Sequence, residues 1–427
     1  MRIAMLTNNY KPFVGGVPIS IERLSNGLRK LGHEVYIFAP SYEDEVEEPY
    51  VIRYRSRKKK LKGEITIPDF LDQSIEEKFA AYPFDLIHVH HPMLMGYTAQ
   101  YLGRKYNTPV VFTYHTRYEQ YLHYLKPYDL LQKHFNRHEK SRTRAWERKL
   151  LYGGSEKLVK THNRIFTNRC SLVFAPTESM KQYLEEQGTT TNVEVVPTGL
   201  LEEDFQYEAE KVKKIRNHYI DGKKYLFCTV SRLEKEKNID FLLKGLAKLK
   251  ENKGDCFRLL LIGAGSEREE LGKEVIRLGL EKNVTFCGGV EHSEIRNYYR
   301  ACDLFLFASK SETQGIVLLE AMAAGLPVIA VDATGTRDVV YDGFNGYLSE
   351  LDIDSWERNL ESLLENAHIR KWMKQNAISE AKSYLSHNVA RKVQYLYERV
   401  LLYHKSKGTA SYVVASCKES PNSTWIQ

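Results

Sequence analysis

The stretch LFLFASKSETQGIVLLEAMAAGLPVIAVD, residues 304–332, decides the fold. Leu304–Ala308 is a short, unbroken apolar run, the pattern of a strand buried on both faces. A polar loop follows. The next apolar segment, near 316–324, reads as a helix that begins at about Gln314 or Gly315. A second apolar run, "PVIAVD", closes the stretch. Strand, helix and strand in so short a space make a βαβ unit, which belongs to a parallel sheet.

The same alternation extends outward in both directions. Upstream strand candidates are "RIAMLT", "EVYIFAP", "DLIHVHH", "PVVFTYHT", "SLVFAPT" and "VEVVPT", with helical stretches at Ile19 to Leu31 and Met95 to Tyr106 among them. Beyond "VPTGLLEEDF" come "YLFCTVSRL", "FRLLLIGAG" and "VTFCGG", with helices near 239–250, 266–279 and 291–301. A chain of 427 residues is too long for one ordinary core. The expected fold is α/β, two doubly wound parallel-sheet, Rossmann-like domains facing a cleft. The first domain spans 1–198 and the second 199–386. A helix over 387–404 follows, then a disordered tail, 405–427, rich in Ser, Thr, Lys and Asn.

Composition narrows the class. At 42% apolar and 27% charged residues the chain is neither disordered nor fibrous. No run approaches the about 18 apolar residues that span a bilayer. Arg2 to Thr7 enters directly into a strand-like run, so a signal peptide is not expected and the cytoplasm is the default. Six scattered cysteines form no metal or redox spacing.

Ligands of doubly wound sheets bind beyond the carboxyl ends of the strands. The loops of interest therefore follow Thr7, Thr113, Ser231, Ile262, Phe286 and Ala308. In "SKSETQGIVLLEAMAAG", Glu312 stands on the loop before a helix and Glu320 about two turns along it. Thr313, Gln314, Gly315 and Ile316 span the helix start, where backbone N–H groups and the dipole suit a phosphate or sugar hydroxyls. Glu320 sits in an apolar segment, and a buried glutamate is rare without a partner. In "VSRLEKEKN", Arg232 and Lys237 follow a buried strand and suit a diphosphate leaving group, a task a metal ion otherwise performs. Gly263 and Gly265 form a weak dinucleotide fingerprint, equally explained by close strand–helix packing. Gly288 ends a strand whose backbone can face a nucleobase. Gly15 and Gly16 precede an amphipathic helix, leaving room for a phosphate or a common turn. His115 ends a buried strand on the side where ligands bind.

These elements, in this order, resemble glycosyltransferase family 4, the retaining group with the GT-B fold, over about residues 1–404. The resemblance implies that Glu312 and His115 act at the transferred sugar, with Glu320 on the ribose. It sets Arg232 and Lys237 on the diphosphate and Gly16 beside it. The donor is a UDP-sugar, expected to be UDP-glucose, with no metal and no other cofactor. It also implies front-face attack, with the leaving phosphate taking the acceptor's proton, and a last helix that returns to the first domain. "YHTRYEQYLHY" at 114–124 and "SETQG" at 311–315 bring the chain nearest to the bacterial diacylglycerol glucosyltransferases.

Charge supports a lipid partner independently of that likeness. Residues 1–197 carry 29 Lys+Arg against 22 Asp+Glu, a difference of +7, while the remainder holds 33 of each. Residues 133–169 alone carry eleven basic and three acidic residues, interleaved with Phe135, Trp146, Tyr152 and Phe166. Such stretches lie on anionic membranes, here through Arg142, Arg144, Arg148 and Lys149. "RYRSRKKKLKG" at 53–63 is a second basic run. No nucleic-acid motif accompanies the charge. The expected function is transfer of a hexose to a membrane lipid such as diacylglycerol, at the inner face of the cell membrane. A family 4 enzyme with a soluble or polysaccharide acceptor, and a nucleotide-sugar epimerase, are the alternatives.

Overall fold

In the computed structural model the described residues are all but Val14, Val46, 61–65, Leu71, 119–155, Ser311 and 409–427. The chain divides into two compact units. One comprises Met1–Pro197 with the residues after 386, and the other Thr198–Ser386.

The first unit is built on β1 (Arg2–Leu6), β2 (Glu34–Pro40), β3 (Val51–Tyr54), β4 (Ser56–Lys60), β5 (Thr66–Pro68), β6 (Leu86–Val89), β7 (Val110–Thr113), β8 (Leu172–Ala175) and β9 (Val193–Val195). Seven of these form one parallel sheet in the order β3-β2-β1-β6-β7-β8-β9, while β4 and β5 pair antiparallel by themselves. Apolar side chains line both faces of the large sheet. One face packs Phe38, Phe79, Leu102, Phe112 and Met180, and the other packs Ile3, Ile21, Ile37, Val111 and Phe174.

The second unit holds β10 (Tyr225–Val230), β11 (Phe257–Ile262), β12 (Val284–Gly288), β13 (Leu304–Phe307), β14 (Val328–Val331) and β15 (Gly346–Ser349). They form one parallel sheet in the order β12-β11-β10-β13-β14-β15. Its central strands are buried on both sides, which is why they read as unbroken apolar runs. The helix Ile316–Ala323 covers one face with Leu318, Leu319 and Met322. Trp356, wholly buried, fills the other, and a Cβ on Gly245 would come within 2.5 Å of its ring.

The expected α/β fold with two parallel sheets is what the structure shows, with corrections at the edges. β3, β4, β5 and β15 were not expected: β3 runs into, and β4 lies within, the basic run 53–63, and β5 follows it. β3 and β15 are edge strands. Edges can carry charged and polar residues that blunt further pairing, which hides such strands from a search for apolar runs, although the other two edges, β9 and β12, were expected. The first long helix begins at Gly16, three residues before its expected start, because Pro18 falls in the first turn, where it is tolerated. Gly16 therefore opens the helix instead of preceding it. The last helix runs to Gly408, so residues 405–408 are helical, and the rest of the expected tail lies outside the described residues. The His404 ring on the Asn107 carbonyl, 2.9 Å away, ties down that final turn. Cys170, Cys228, Cys256, Cys287 and Cys302 are all free thiols. Among the described residues no helix is long and apolar enough to cross a membrane.

The last helix belongs to the first unit. Val389, Val393, Leu396, Tyr397 and Val400, a helical stripe, pack against Ile3, Met5 and Val35. The wholly buried Tyr397 hydroxyl lies 2.6 Å from His88 Nδ1. Tyr397→Phe keeps the packing and strands that buried nitrogen. The expected result is a loss of about 1–3 kcal/mol from the first unit's unfolding transition in urea. An unchanged midpoint would show that the stripe alone holds the helix.

Candidate active site

In each sheet the chain winds outward from a central strand to one side and then returns to build the other. The order reverses beside β1 in the first unit and beside β10 in the second. At such a reversal the two following loops diverge in opposite directions and leave a crevice at the carboxyl ends of the strands.

In the second unit the reversal lies between β10 and β13, which are hydrogen-bonded neighbours. Their loops carry Arg232 to Lys237 and Glu312 to Gly315. The sheet order thus unites two motifs 75 residues apart: Lys237 Nζ lies 2.6 Å from Glu312 Oε1, both side chains 14% exposed. Asn238, in the left-handed conformation, ends the first loop and donates its side-chain N–H to the Ala308 carbonyl at 3.2 Å. The Lys310 N–H and the Ser309 hydroxyl both reach the Glu236 carbonyl. Arg232 is more open, 52% exposed, and pairs with Glu236 at 3.0 Å. The sequence assigned Glu312 and Lys237 to different parts of a donor, whereas the structure shows them holding each other.

Gly315 caps the helix Ile316–Ala323 with φ 70°, and a Cβ there would come within 2.7 Å of Leu318. Gly335 presses on this loop from β14's side, 2.7 Å from the Glu312 carbonyl to a would-be Cβ. Thr313 and Ile316 are partly buried at the helix start. Gln314 is buried, and its amide accepts from the Thr198 N–H at 2.7 Å and donates to the Thr198 carbonyl at 3.0 Å. That side chain is engaged by the protein's own backbone. Glu320 is 7% exposed, and His292 Nε2 lies 3.3 Å from its Oε1. A surface glutamate is excluded. His292 was not anticipated, because nothing in "VEHSEI" marks the first residue of the helix His292–Ala301 as a partner for a residue 28 positions on.

Gly263 has an internal explanation. A Cβ there would lie 1.9 Å from the Ser231 carbonyl, so glycine is required for the β10 and β11 loops to pass each other, whatever binds. Gly265 is confined in the same way, 2.3 Å from the Leu233 carbonyl. Gly288 and Gly16 are different: no atom lies within 4 Å of a Cβ at either, although φ 71° itself favours glycine at 288. At Gly16 no described residue demands the missing side chain.

In the first unit the reversal lies between β1 and β6. The loop after β6 carries His90 and His91, which "DLIHVHH" hides because it reads as one continuous strand. His91 Nδ1 accepts the Asn8 N–H at 3.1 Å, linking the two loops. His88 Nε2 lies 2.6 Å from Thr113 Oγ1, and His90 Nδ1 lies 2.9 Å from His115 Nε2, where His115 stands two residues beyond β7. His90 is flanked by both rings, with centroids 4.3 Å from His88 and 5.2 Å from His115. Burial holds His88, His91 and His115 down at about pKa 3, and lowers His90 too. All four are neutral at pH 7. Arg142, Arg144, Arg148 and Lys149 lie outside the described residues.

The sequence model for Glycosyltransferase Family 4 matches residues 14–202, and that for Glycosyl transferases group 1 matches 210–380. An alpha-monoglucosyldiacylglycerol synthase of Streptococcus pneumoniae is 30% identical over 380 residues, 85% of this chain and 78% of that one. One from Acholeplasma laidlawii is 28% identical, covering 93% and 96%. Among solved structures, Anabaena HepE in complex with UDP matches with TM-score 0.71 at 18% identity, covering 93% of this chain and all of that one. Sucrose-phosphate synthase of Thermosynechococcus elongatus matches at 0.74 and 19%, covering 94% and 99%. At such identities these two establish the fold. Two doubly wound units with loop sets at their reversal points make this a GT-B glycosyltransferase. The chain belongs to glycosyltransferase family 4.

The lysine–glutamate pair is testable as a unit. Lys237→Met and Glu312→Gln should each destabilise the second unit in urea unfolding, and the double variant should fall short of their sum by about 1–3 kcal/mol, since contacting residues couple. Strict additivity would mean that the two side chains do not hold each other.

Proposed function

We propose that this protein moves glucose, with retention, from UDP-glucose to diacylglycerol or a related membrane lipid, without a metal ion. The observation that carries the reading is the Lys237–Glu312 pair at the second unit's reversal point. A cation and a carboxylate, both mostly buried, offer one group to a diphosphate and one to sugar hydroxyls, and a poorly hydrated site strengthens both. Arg232 adds charge for the diphosphate, and together the two cations take the place of a metal. Glu320 serves the ribose, with His292 beside it. The N–H groups around Thr313, Gly315 and Ile316 serve the donor. Gly16 leaves room for a phosphate, Gly288 for the base, and His115 meets the transferred sugar.

Uridine as the base draws support from Anabaena HepE, solved with UDP and with UDP-glucose. The lipid acceptor draws support from the two glucosyldiacylglycerol synthases and from the basic excess confined to the first 197 residues. In this reading Arg142, Arg144, Arg148 and Lys149 hold the protein to the inner face of the membrane. A soluble acceptor is the second reading, favoured by a 25% identical D-inositol 3-phosphate glycosyltransferase.

The deciding assay offers several nucleotide sugars with anionic vesicles containing diacylglycerol, in excess chelator, and weighs the product. A glucosyl lipid formed from UDP-glucose is expected. A product only with a soluble acceptor would replace the lipid reading, and loss of activity in chelator with rescue by magnesium would remove the metal-free one. Glu312→Gln should lower kcat by at least about a hundredfold, because its contact is strongest where charge develops. Glu320→Ala should act mainly on donor KM. Wild-type turnover in Glu312→Gln would remove the central assignment.

A further inference from the structure

We infer that His90 is a positioning residue that fixes the tautomer of His115, donating its Nδ1–H to His115 Nε2 so that His115 carries its own proton on Nδ1. The inference rests on the proposed placing of His115 against the transferred sugar, and reaches one residue beyond it.

The two ring nitrogens are 2.9 Å apart, and one must donate while the other accepts. Both rings are neutral at pH 7, so each has a single proton to place. The choice is settled at the far side of His90. Its Nε2 is buried and has no hydrogen-bond partner among the described residues. If His115 donated, the His90 proton would be forced onto that Nε2, leaving a buried N–H with no acceptor. If His90 donates, its proton is used and only a bare lone pair is left over. Orphaned buried N–H groups are the rarer defect. His90 is 1% exposed and flanked by the His88 and His115 rings. A flipped ring would set a carbon against His115 and lose the bond. The arrangement is therefore one-directional, and it determines which His115 nitrogen offers a proton and which a lone pair. Where a carboxylate holds a catalytic histidine's tautomer in hydrolases, losing the correct tautomer costs orders of magnitude in kcat.

The test combines a spectroscopic and a kinetic measurement on the full chain. Imidazole ¹⁵N shifts are recorded on histidine-labelled wild-type protein at pH 7, with His115 assigned by the signals lost in His115→Gln. A protonated Nδ1 and a bare Nε2 on His115 are expected, and the reverse overturns the inference without needing any variant at His90 to fold. In glucosyl transfer, His90→Leu should lower kcat at least about tenfold with donor KM within about twofold, whereas His90→Asn, whose amide can supply the same N–H, should stay within about threefold of wild type. Wild-type kcat in His90→Leu, or equal losses in both variants, overturns it. His115→Gln in the same assay separates the two failures. Wild-type turnover there removes the placing of His115 itself, whereas a crippled His115→Gln beside a fully active His90→Leu removes only the coupling.

Discussion

A parallel sheet presents all its strands' carboxyl ends along one rim, and that constraint organises everything chemical in this protein. Where the strand order reverses, beside β1 and beside β10, consecutive loops turn away from each other and leave side chains exposed at the rim. No local sequence feature brings Lys237 to Glu312. The neighbouring of β10 and β13 does, and the pair then follows from two loops too short to go elsewhere. The supporting bonds from Asn238, Lys310 and Ser309 are the means by which one loop's backbone is referred to the other's.

The two reversal points have been filled with opposite electrostatics. In the second unit, ionic groups sit at low exposure and answer each other, which meets the requirement that a buried charge be paired. Removing one partner leaves the other costly, so the pair is a unit until a ligand of suitable charge replaces the internal contact. The first unit instead gathers histidines that burial keeps neutral. Neutral imidazole can sit at that depth without a counter-ion, provided its nitrogens find partners, and His88, His91 and His115 each have one.

The fold was legible because its central strands are buried on both faces and so read as unbroken apolar runs. Of the four edge strands of the two parallel sheets, β9 and β12 were legible and two were not: β3 sits in a basic stretch and β15 is the short, mixed "GYLS". Of the side chains that the sequence marks for their chemistry, the structure brings Lys237 to Glu312 and buries Glu320 and His115. Gln314 and Gly263 have uses inside the protein that their sequence neighbourhood does not show: one side chain bonds the Thr198 peptide, and the other position must be glycine beside the Ser231 carbonyl. His90, His91 and His292 were passed over because their meaning depends on partners distant in sequence, which periodicity cannot report.

The neutrality of His115 bears on where the acceptor's proton goes. With its pKa held at about 3 by burial, the ring resists taking up a second proton at pH 7 and is weak as a base. It can orient a hydroxyl through a hydrogen bond, but it is poorly matched to removing a proton from one. Glu312, already engaged with Lys237, is a hydrogen-bond acceptor held in place rather than an idle carboxylate. Among the residues placed at the proposed site, then, the groups that could act as a strong base are either neutralised by burial or committed to a cation. That distribution suits the proposed mechanism in which the leaving phosphate itself takes the proton. In that proposal the phosphate oxygen gains charge and basicity as the glycosidic bond breaks, Lys237 and Arg232 stabilise the charge, and for holding a hydroxyl in register a histidine of fixed tautomer serves better than one that titrates.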